Sequence, residues 1–163
     1  FGPIHPRVAS AVNDLGMIAQ NRGDLDEAEA AFTRMAAIYR SVYGEKHYLI
    51  GIATSNLASV YVLRRQYQRA EPLYRQAIAM FSETQSPQHL NTGIGRIKLG
   101  RALVGQSRYA EAETEILAGY DILTKQTSPS VSWLRMARED LVKLYTASNQ
   151  PQKAEKYKAE LSR

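Results

Sequence analysis

The sequence contains no cysteine, and only 10 of its 163 residues are glycine and 6 are proline. Without cysteine the chain can form no disulfide, no thiolate metal site and no cysteine nucleophile. This favours a reducing compartment, and we expect a cytoplasmic protein. The scarcity of glycine and proline favours helix, because these are the two poorest helix-forming residues.

Long apolar runs are also missing. No segment reaches the ~18 consecutive apolar residues of a membrane-spanning helix, and the first residues do not have the basic and then apolar pattern of a signal peptide. We therefore expect no membrane partner. Hydrophobic residues make up 44% of the chain and charged residues 23%, which is typical of a folded domain rather than of a disordered segment.

The net charge of +5 allows an acidic partner or a nucleic acid. The basic residues are spread along the chain, however, and no basic run with interleaved aromatic residues occurs. Binding of nucleic acid is therefore the weaker expectation.

One fixed spacing recurs through the whole chain. An alanine followed by a glutamate recurs at this spacing, as does a leucine, and a histidine recurs in the first three copies. These positions are Ala28, Ala70, Ala112 and Ala154, then Leu15, Leu57, Leu99 and Leu141, then His5, His47 and His89. Similarity at a fixed period of about 42 residues indicates a repeat architecture.

Each copy has the apolar spacing of two helices separated by a short break. In the first copy the break is Arg22-Gly23-Asp24, where glycine suits the end of one helix (helix A) and aspartate the N-cap of the next (helix B). The corresponding breaks lie near Arg65-Gln66, Ser107-Arg108 and Asn149-Gln150. We therefore predict an all-α chain of about eight helices, with repeats at residues 7–45, 46–87, 88–129 and 130–163 in a single domain.

Small residues recur where the two helices of a repeat should meet. Gly16 on helix A and Ala28 on helix B would bring the helix axes to the short end of the usual range of roughly 8–10 Å. One helical pair cannot bury its apolar faces alone, so neighbouring pairs are expected to stack and stabilise each other.

The sequence contains no recognisable catalytic or metal-binding pattern. The three histidines fall in successive loops and do not share the close helical spacing of a metal site, so a role at the start of a helix is the commoner explanation. Gly93-Ile94-Gly95 is not a phosphate loop, because no strand precedes it. We expect no catalytic residue, metal or cofactor.

The second copy resembles the tetratricopeptide repeat (TPR). The resemblance lies in Asn56-Leu57-Ala58, Tyr61, Tyr67 and the segment from Ala70 to Ala77. The usual period of this repeat is shorter, at about 34 residues. The longer period found here, with the loop Tyr43-Gly44-Glu45-Lys46-His47, is similar to the repeats of kinesin light chains and of many bacterial proteins. The resemblance implies a right-handed superhelical solenoid of antiparallel helix pairs.

A finer resemblance covers the C-terminal part of the chain. Leu99-Gly100-Arg101, Tyr109-Ala110-Glu111-Ala112-Glu113 and the ending from Arg138 to Tyr157 are similar to the C-terminal repeats of bacterial serine/threonine protein kinases. No kinase motif is present. Phe1-Gly2 lies one full period before Tyr43-Gly44, which predicts that the chain opens on the loop of a preceding repeat and is a fragment of a longer protein.

The resemblance also implies where a ligand binds, because helix A lines the concave groove in this family. Asn56 is the sharpest candidate, since its amide can both donate to and accept from an extended peptide backbone; a solvated or capping asparagine is the alternative. The positions that match the groove are Asn13, Met17, Asn56, Ser59, Lys98, Arg101 and Lys143, with Asp14, Ser55, Ile94, Glu139 and Asp140 beside them.

Some TPR domains hold a C-terminal carboxylate in a basic clamp. Asn56 and Lys98 match that clamp, but Met17 and Ile94 stand where polar residues are expected. Ile52, Ile94 and Met136 form an apolar stripe that belongs either to the core, which is the commoner case, or to a groove for a partly hydrophobic ligand.

The sequence thus predicts a non-enzymatic scaffold that binds a protein or peptide of acidic or partly hydrophobic character, as a regulatory or targeting tail of a larger protein. Two alternatives stay open at this point. One is a self-association module that forms a homo-oligomer, and the other is nucleic-acid binding through a basic surface.

Overall fold

The computed structural model describes residues 2–162 of the chain, and in that range it contains eight α-helices and no strand. The helices are α1 (Pro6–Arg22), α2 (Leu25–Tyr43), α3 (Tyr48–Leu63), α4 (Tyr67–Thr84), α5 (Leu90–Gly105), α6 (Tyr109–Thr124), α7 (Val131–Ala147) and α8 (Pro151–Leu161). The predicted all-α helical-repeat fold is confirmed. Phe1 and Arg163, which the sequence assigns to a preceding loop and to the end of the fourth repeat, lie outside the described residues.

The turn inside each repeat has the same backbone conformation. Gly23, Arg65, Ser107 and Asn149 occupy the same position in the four copies, and all have positive φ, at 85°, 58°, 59° and 56°. The next residue in each turn donates its N–H to a carbonyl in the last turn of helix A, as Asp24 does to Ala19 at 2.9 Å. This is a left-handed helix C-cap, and it confirms all four predicted breaks.

Three histidines begin three of the helices. The Nδ1 atoms of His5, His47 and His89 accept the backbone N–H two residues ahead, at 3.1, 3.3 and 3.1 Å, and so cap α1, α3 and α5. The expected helix-start role is confirmed. Asp24 lies at the N-cap of α2 but makes no side-chain cap bond, contrary to expectation. Its ψ of 70° is outside the extended region that turns a capping side chain back onto the helix.

The chain divides into two compact units, which are residues 1–87 and 88–163. Each contains two of the predicted repeats. The division into one domain of four repeats within a longer protein stays a prediction.

In unit 1, α2 packs against both α1 and α3. Phe32 of α2 is fully buried, and a Cβ added to Gly16 of α1 would lie only 2.7 Å from its ring, which explains the small residue at that position. Leu15 of α1, the first of the recurring leucines, is 57% exposed. Its equivalent, Leu57 of α3, packs into the core formed with α2. The face of α3 that contains Leu57 is covered by α2. No described helix covers the equivalent face of α1, so Leu15 stays exposed.

In unit 2, α5 and α6 cross at two glycines. A Cβ added to Gly119 would lie 2.5 Å from the carbonyl oxygen of Gly93, and one added to Gly93 would lie 2.9 Å from Ile122. The absence of a side chain at Gly93 therefore permits a close helix contact. The core beside this crossing is formed by Ile97, Leu123 and Ala137, with Trp133 packed against it.

A glutamate, a tyrosine and a cation tie neighbouring repeats together within each unit. In unit 1 the Tyr61 hydroxyl donates to Glu29 at 2.6 Å, Arg64 pairs with the same carboxylate, and Arg69 lies 4.1 Å from the Tyr61 ring centroid.

Unit 2 contains the same network. The Tyr145 hydroxyl and the Lys153 ammonium both donate to Glu113, each at 2.8 Å. In the third copy the repeat position of Tyr61 and Tyr145 is occupied by Leu103, which has no hydroxyl group to donate such a hydrogen bond. These two networks lower the carboxyl pKa values of Glu29 and Glu113. The first cause is the Tyr61 hydrogen bond for Glu29 and the Lys153 hydrogen bond for Glu113.

Candidate ligand-binding surface of the A helices

The predicted groove residues lie on the first helix of each repeat, α1, α3, α5 and α7, which we call the A helices. Two register positions, three residues apart and therefore on one helix face, contain most of them. The earlier position is occupied by Asp14, Asn56, Lys98 and Asp140, and the later one by Met17, Ser59, Arg101 and Lys143.

In unit 1 the structure brings Asn13 and Asn56 together. Asn56 Nδ2 donates to Asn13 Oδ1 at 2.9 Å, so the two candidate residues bind each other across α1 and α3. Among the described residues no other hydrogen bond to the Asn56 amide is found. Its oxygen and its second N–H remain available to a peptide backbone, because an amide side chain has two donors and one acceptor atom.

The other two candidates of unit 1 differ in their availability. The Ser59 hydroxyl is engaged inside the fold, with the Ser55 carbonyl oxygen at 3.0 Å and the Tyr74 hydroxyl at 2.9 Å. Met17 is 38% exposed on α1 and presents an apolar, flexible surface. The sequence did not predict the contact of Ser59 with Tyr74, since it depends on how α4 packs on α3.

In unit 2 the Arg101 guanidinium binds the Asp140 carboxylate. Nη2 lies 2.6 Å from Oδ2, and Nε lies 3.1 Å from Oδ1. Asp140 is only 3% exposed, so this pair joins α5 to α7 as a structural contact. The Arg101 guanidinium thus compensates a buried carboxylate of its own unit, and its place in a ligand-binding groove stays a prediction.

Lys98 lies three residues before Arg101 and has no such compensation. Its side chain is half-buried, and no hydrogen bond or ion pair to it is found in residues 2–162. Burial lowers the pKa of the Lys98 ammonium to about 8, and the nearby Arg101 charge contributes in the same direction. Lys143, the candidate on α7, is exposed and also has no described partner.

The apolar stripe belongs mainly to the core. Ile52 packs against the core of unit 1 and Ile94 against that of unit 2, and Met136 is half-buried. This agrees with the commoner of the two explanations given for the stripe.

No group of three or more potential metal ligands is found within residues 2–162. None of the eight described helices combines the length and apolarity needed to cross a bilayer.

Comparisons with known proteins identify the fold and the family. Comparison with curated proteins found no match. Among solved structures, BtubC (BKLC) from P. vanneervenii has a TM-score of 0.83 at 19% identity, covering 98% of this chain and 64% of that one. A putative kinesin light chain with nearly identical TPR-like repeats from Podosopora anserina has a TM-score of 0.79 at 23% identity, covering 96% of this chain and 74% of that one. Its Q17M form gives the same values.

BtubC is longer than the present chain, which spans slightly less than two thirds of its length. At these identities the likeness shows the fold. A family model described as tetratricopeptide repeat matches residues 7–83 and again residues 50–125. Because those matches cover most of the sequence, the chain belongs to the tetratricopeptide repeat family.

Proposed function

We propose that the chain is a non-catalytic scaffold that binds a protein or peptide on its A helices. The observation that carries this proposal is a polar candidate residue on one A helix of each unit, Asn56 on α3 of unit 1 and Lys98 on α5 of unit 2. Asn56 keeps unused amide hydrogen-bonding capacity, and Lys98 is a half-buried cation with no described partner. Within unit 1 a peptide backbone would complete the hydrogen bonds of Asn56, and within unit 2 an acidic group would compensate Lys98.

The surrounding contacts favour recognition of a peptide over chemistry. In unit 1 Ser59 is held by α4, and in unit 2 Arg101 and Asp140 hold each other. Within each unit these side chains are therefore fixed before a ligand arrives, so little of their entropy is lost on binding. Each unit also has an apolar candidate residue on an A helix, the exposed Met17 in unit 1 and the half-buried Ile94 in unit 2. A segment with both acidic and apolar side chains fits this composition.

In a longer protein such a surface would recruit partners to an attached domain. The family is generally associated with interaction scaffolds, and a regulatory or targeting tail, including that of a bacterial kinase, is the context we propose. The partner would be a cytoplasmic protein.

The test uses peptides selected from a random library against the whole chain, with affinities measured by calorimetry. Replacing Asn56 and Lys98 together by alanine should weaken binding at least about tenfold, since each lost charged or multiple hydrogen bond contributes ~1–3 kcal/mol. Circular dichroism should show unchanged helicity. The matched control replaces Arg34 and Gln76, which are exposed on the second helices of the two unit 1 repeats, and it should bind as the original chain does.

An unchanged affinity in the double variant would move the binding surface away from the A helices. Light scattering of the free chain over a range of concentrations would complete the test. A dimer that peptide cannot dissociate, and that excludes peptide, would support self-association instead.

A further inference from the structure

Lys98 is a cation of unit 2 that the described fold leaves uncompensated in a half-buried position. The neighbouring arginines on α5 and α7 all have acidic partners. These pairs are Arg96–Glu115 at 2.9 Å, Arg101–Asp140 at 2.6 Å, Arg135–Glu139 at 3.2 Å and Arg138–Glu160 at 3.1 Å. Lys143 is also without a described partner, but it is exposed to water, whereas Lys98 is half-buried.

An unpaired ammonium in this environment is unfavourable. Removing it from water without an acceptor costs free energy, and the Arg101 guanidinium adds like-charge repulsion. The consequence is that its pKa falls to about 8, with burial as the larger cause and Arg101 as the smaller one. A carboxylate placed against Nζ would oppose both effects and favour the charged form.

We propose that Lys98 recognises a side-chain carboxylate of the bound peptide and takes up a proton as it binds. This inference rests on the proposed function and names the ligand chemistry of the same surface. The neutral amine gains one proton from solvent, and the resulting ammonium pairs with the ligand carboxylate, so charge and atoms balance. Recognition by unit 2 then weakens as the solution becomes alkaline.

The charged neighbours of Lys98 support a single negative charge on the ligand. Arg101, on the same helix, already neutralises Asp140 of α7, and Arg96 already neutralises Glu115 of α6. Of the three cations on α5, only Lys98 is therefore left for a ligand. Ile94 lies one turn before Lys98 and is apolar, so the several polar donors that would enclose a chain terminus are not assembled. A carboxylate on a side chain within the peptide fits better.

The experiment uses an acetylated and amidated peptide of alternating glutamate and leucine, with the whole chain and calorimetry at pH 7 and pH 9. With a pKa of about 8, the charged fraction of Lys98 falls about tenfold between these pH values, so affinity should fall about tenfold. At pH 8, buffers of different ionisation enthalpy should report uptake of about half a proton per bound peptide.

Three variants make the result specific. Lys98→Arg should bind well at both pH values, because a guanidinium stays protonated throughout. Lys98→Met should bind weakly at both, and the control Lys125→Met, at an exposed lysine outside the A helices, should keep the affinity and the pH dependence of the original chain. Circular dichroism at both pH values should show that all of them fold.

Several outcomes would overturn the inference. One is a wild-type affinity that is the same at pH 7 and pH 9, and another is a Lys98→Arg variant whose affinity still falls at pH 9. A third is that a peptide of glutamine and leucine with a free C-terminus binds more tightly than the capped glutamate peptide. Effective competition by inorganic phosphate would point instead to a phosphorylated ligand. If library-selected peptides bind through Asn56 and Lys98 while the glutamate peptide does not, the scaffold proposal stands and the carboxylate inference fails.

Discussion

Replacing Tyr61 by phenylalanine would remove one hydroxyl group from the network that joins α2, α3 and α4. In the structure this hydroxyl donates to Glu29 at 2.6 Å and accepts from Arg69 at 3.0 Å. The ring itself is buried, and phenylalanine fills the same space. The substitution therefore isolates the hydrogen bonds from the packing.

The expected loss follows from the environment of the carboxylate. A hydrogen bond to a charged group contributes roughly 1.5–3 kcal/mol. The Glu29 side chain is 31% exposed and keeps Arg64 as a partner, so water and Arg64 replace part of the loss. We expect the free energy of unfolding at pH 7 to fall by about 1 kcal/mol, which corresponds to a decrease in Tm of roughly 2–4 °C in a chain of this size.

The pH dependence gives the sharper check. The pKa of Glu29 is lowered in the folded state, first by Tyr61 and then by Arg64. A lowered carboxyl pKa means that the stabilisation is present above the ordinary range of glutamate and is lost as the pH falls through the folded-state value. The difference between Tyr61→Phe and the original chain should therefore shrink below about pH 4.

The assay is thermal and urea unfolding followed by circular dichroism. Tyr43→Phe is the matched control, because Tyr43 is exposed and stacks on His47 through its ring. A Tyr61→Phe change no larger than that of the control, or a difference that persists undiminished at pH 3, would refute the role assigned to the hydroxyl.

Three further substitutions test the packing and the turns. Ser107→Gly should raise the free energy of unfolding by about 0.5–1 kcal/mol, because Ser107 has a positive φ that glycine adopts without strain. Gly119→Ala should lower it by roughly 1–3 kcal/mol, since the added Cβ would meet the backbone oxygen of Gly93. Asp140→Asn should lower it by about 2–4 kcal/mol, because Arg101 loses its buried carboxylate partner. Each is measured by urea unfolding at pH 7.

Controls for these substitutions come from equivalent or open positions. Gly23→Ala should destabilise, in contrast to Ser107→Gly, because alanine is strained at its φ of 85°. Gly2→Ala meets nothing within 4 Å and should have no effect. Asp14→Asn tests the exposed register equivalent of Asp140. A loss as large at Asp14 as at Asp140 would contradict the importance of burial, and a neutral Gly119→Ala would contradict the close helix crossing.

The repeat period by itself determined the helices and their turns. Apolar spacing and the short breaks are local properties, so they predicted the eight helices, the four turns and the helix-start histidines. The prediction that the Asp24 side chain caps α2 was wrong, because capping depends on the ψ angle of the residue and not on its type alone. The exposure of Leu15 could not be predicted in this way, because burial depends on a helix packed against α1, which the spacing within α1 does not report.

Tertiary packing alone decided which of the predicted groove residues are already bound within the fold. The sequence placed Asn56, Lys98 and Arg101 on one face of the A helices, but it gave no reason to separate them. Arg101 is bound to a carboxylate 39 residues away, and Asn56 is bound to an amide 43 residues away, while Lys98 has no described partner. Helix periodicity is set by neighbours three or four residues apart, whereas the partner of a charged side chain is whichever group another helix brings within about 3 Å.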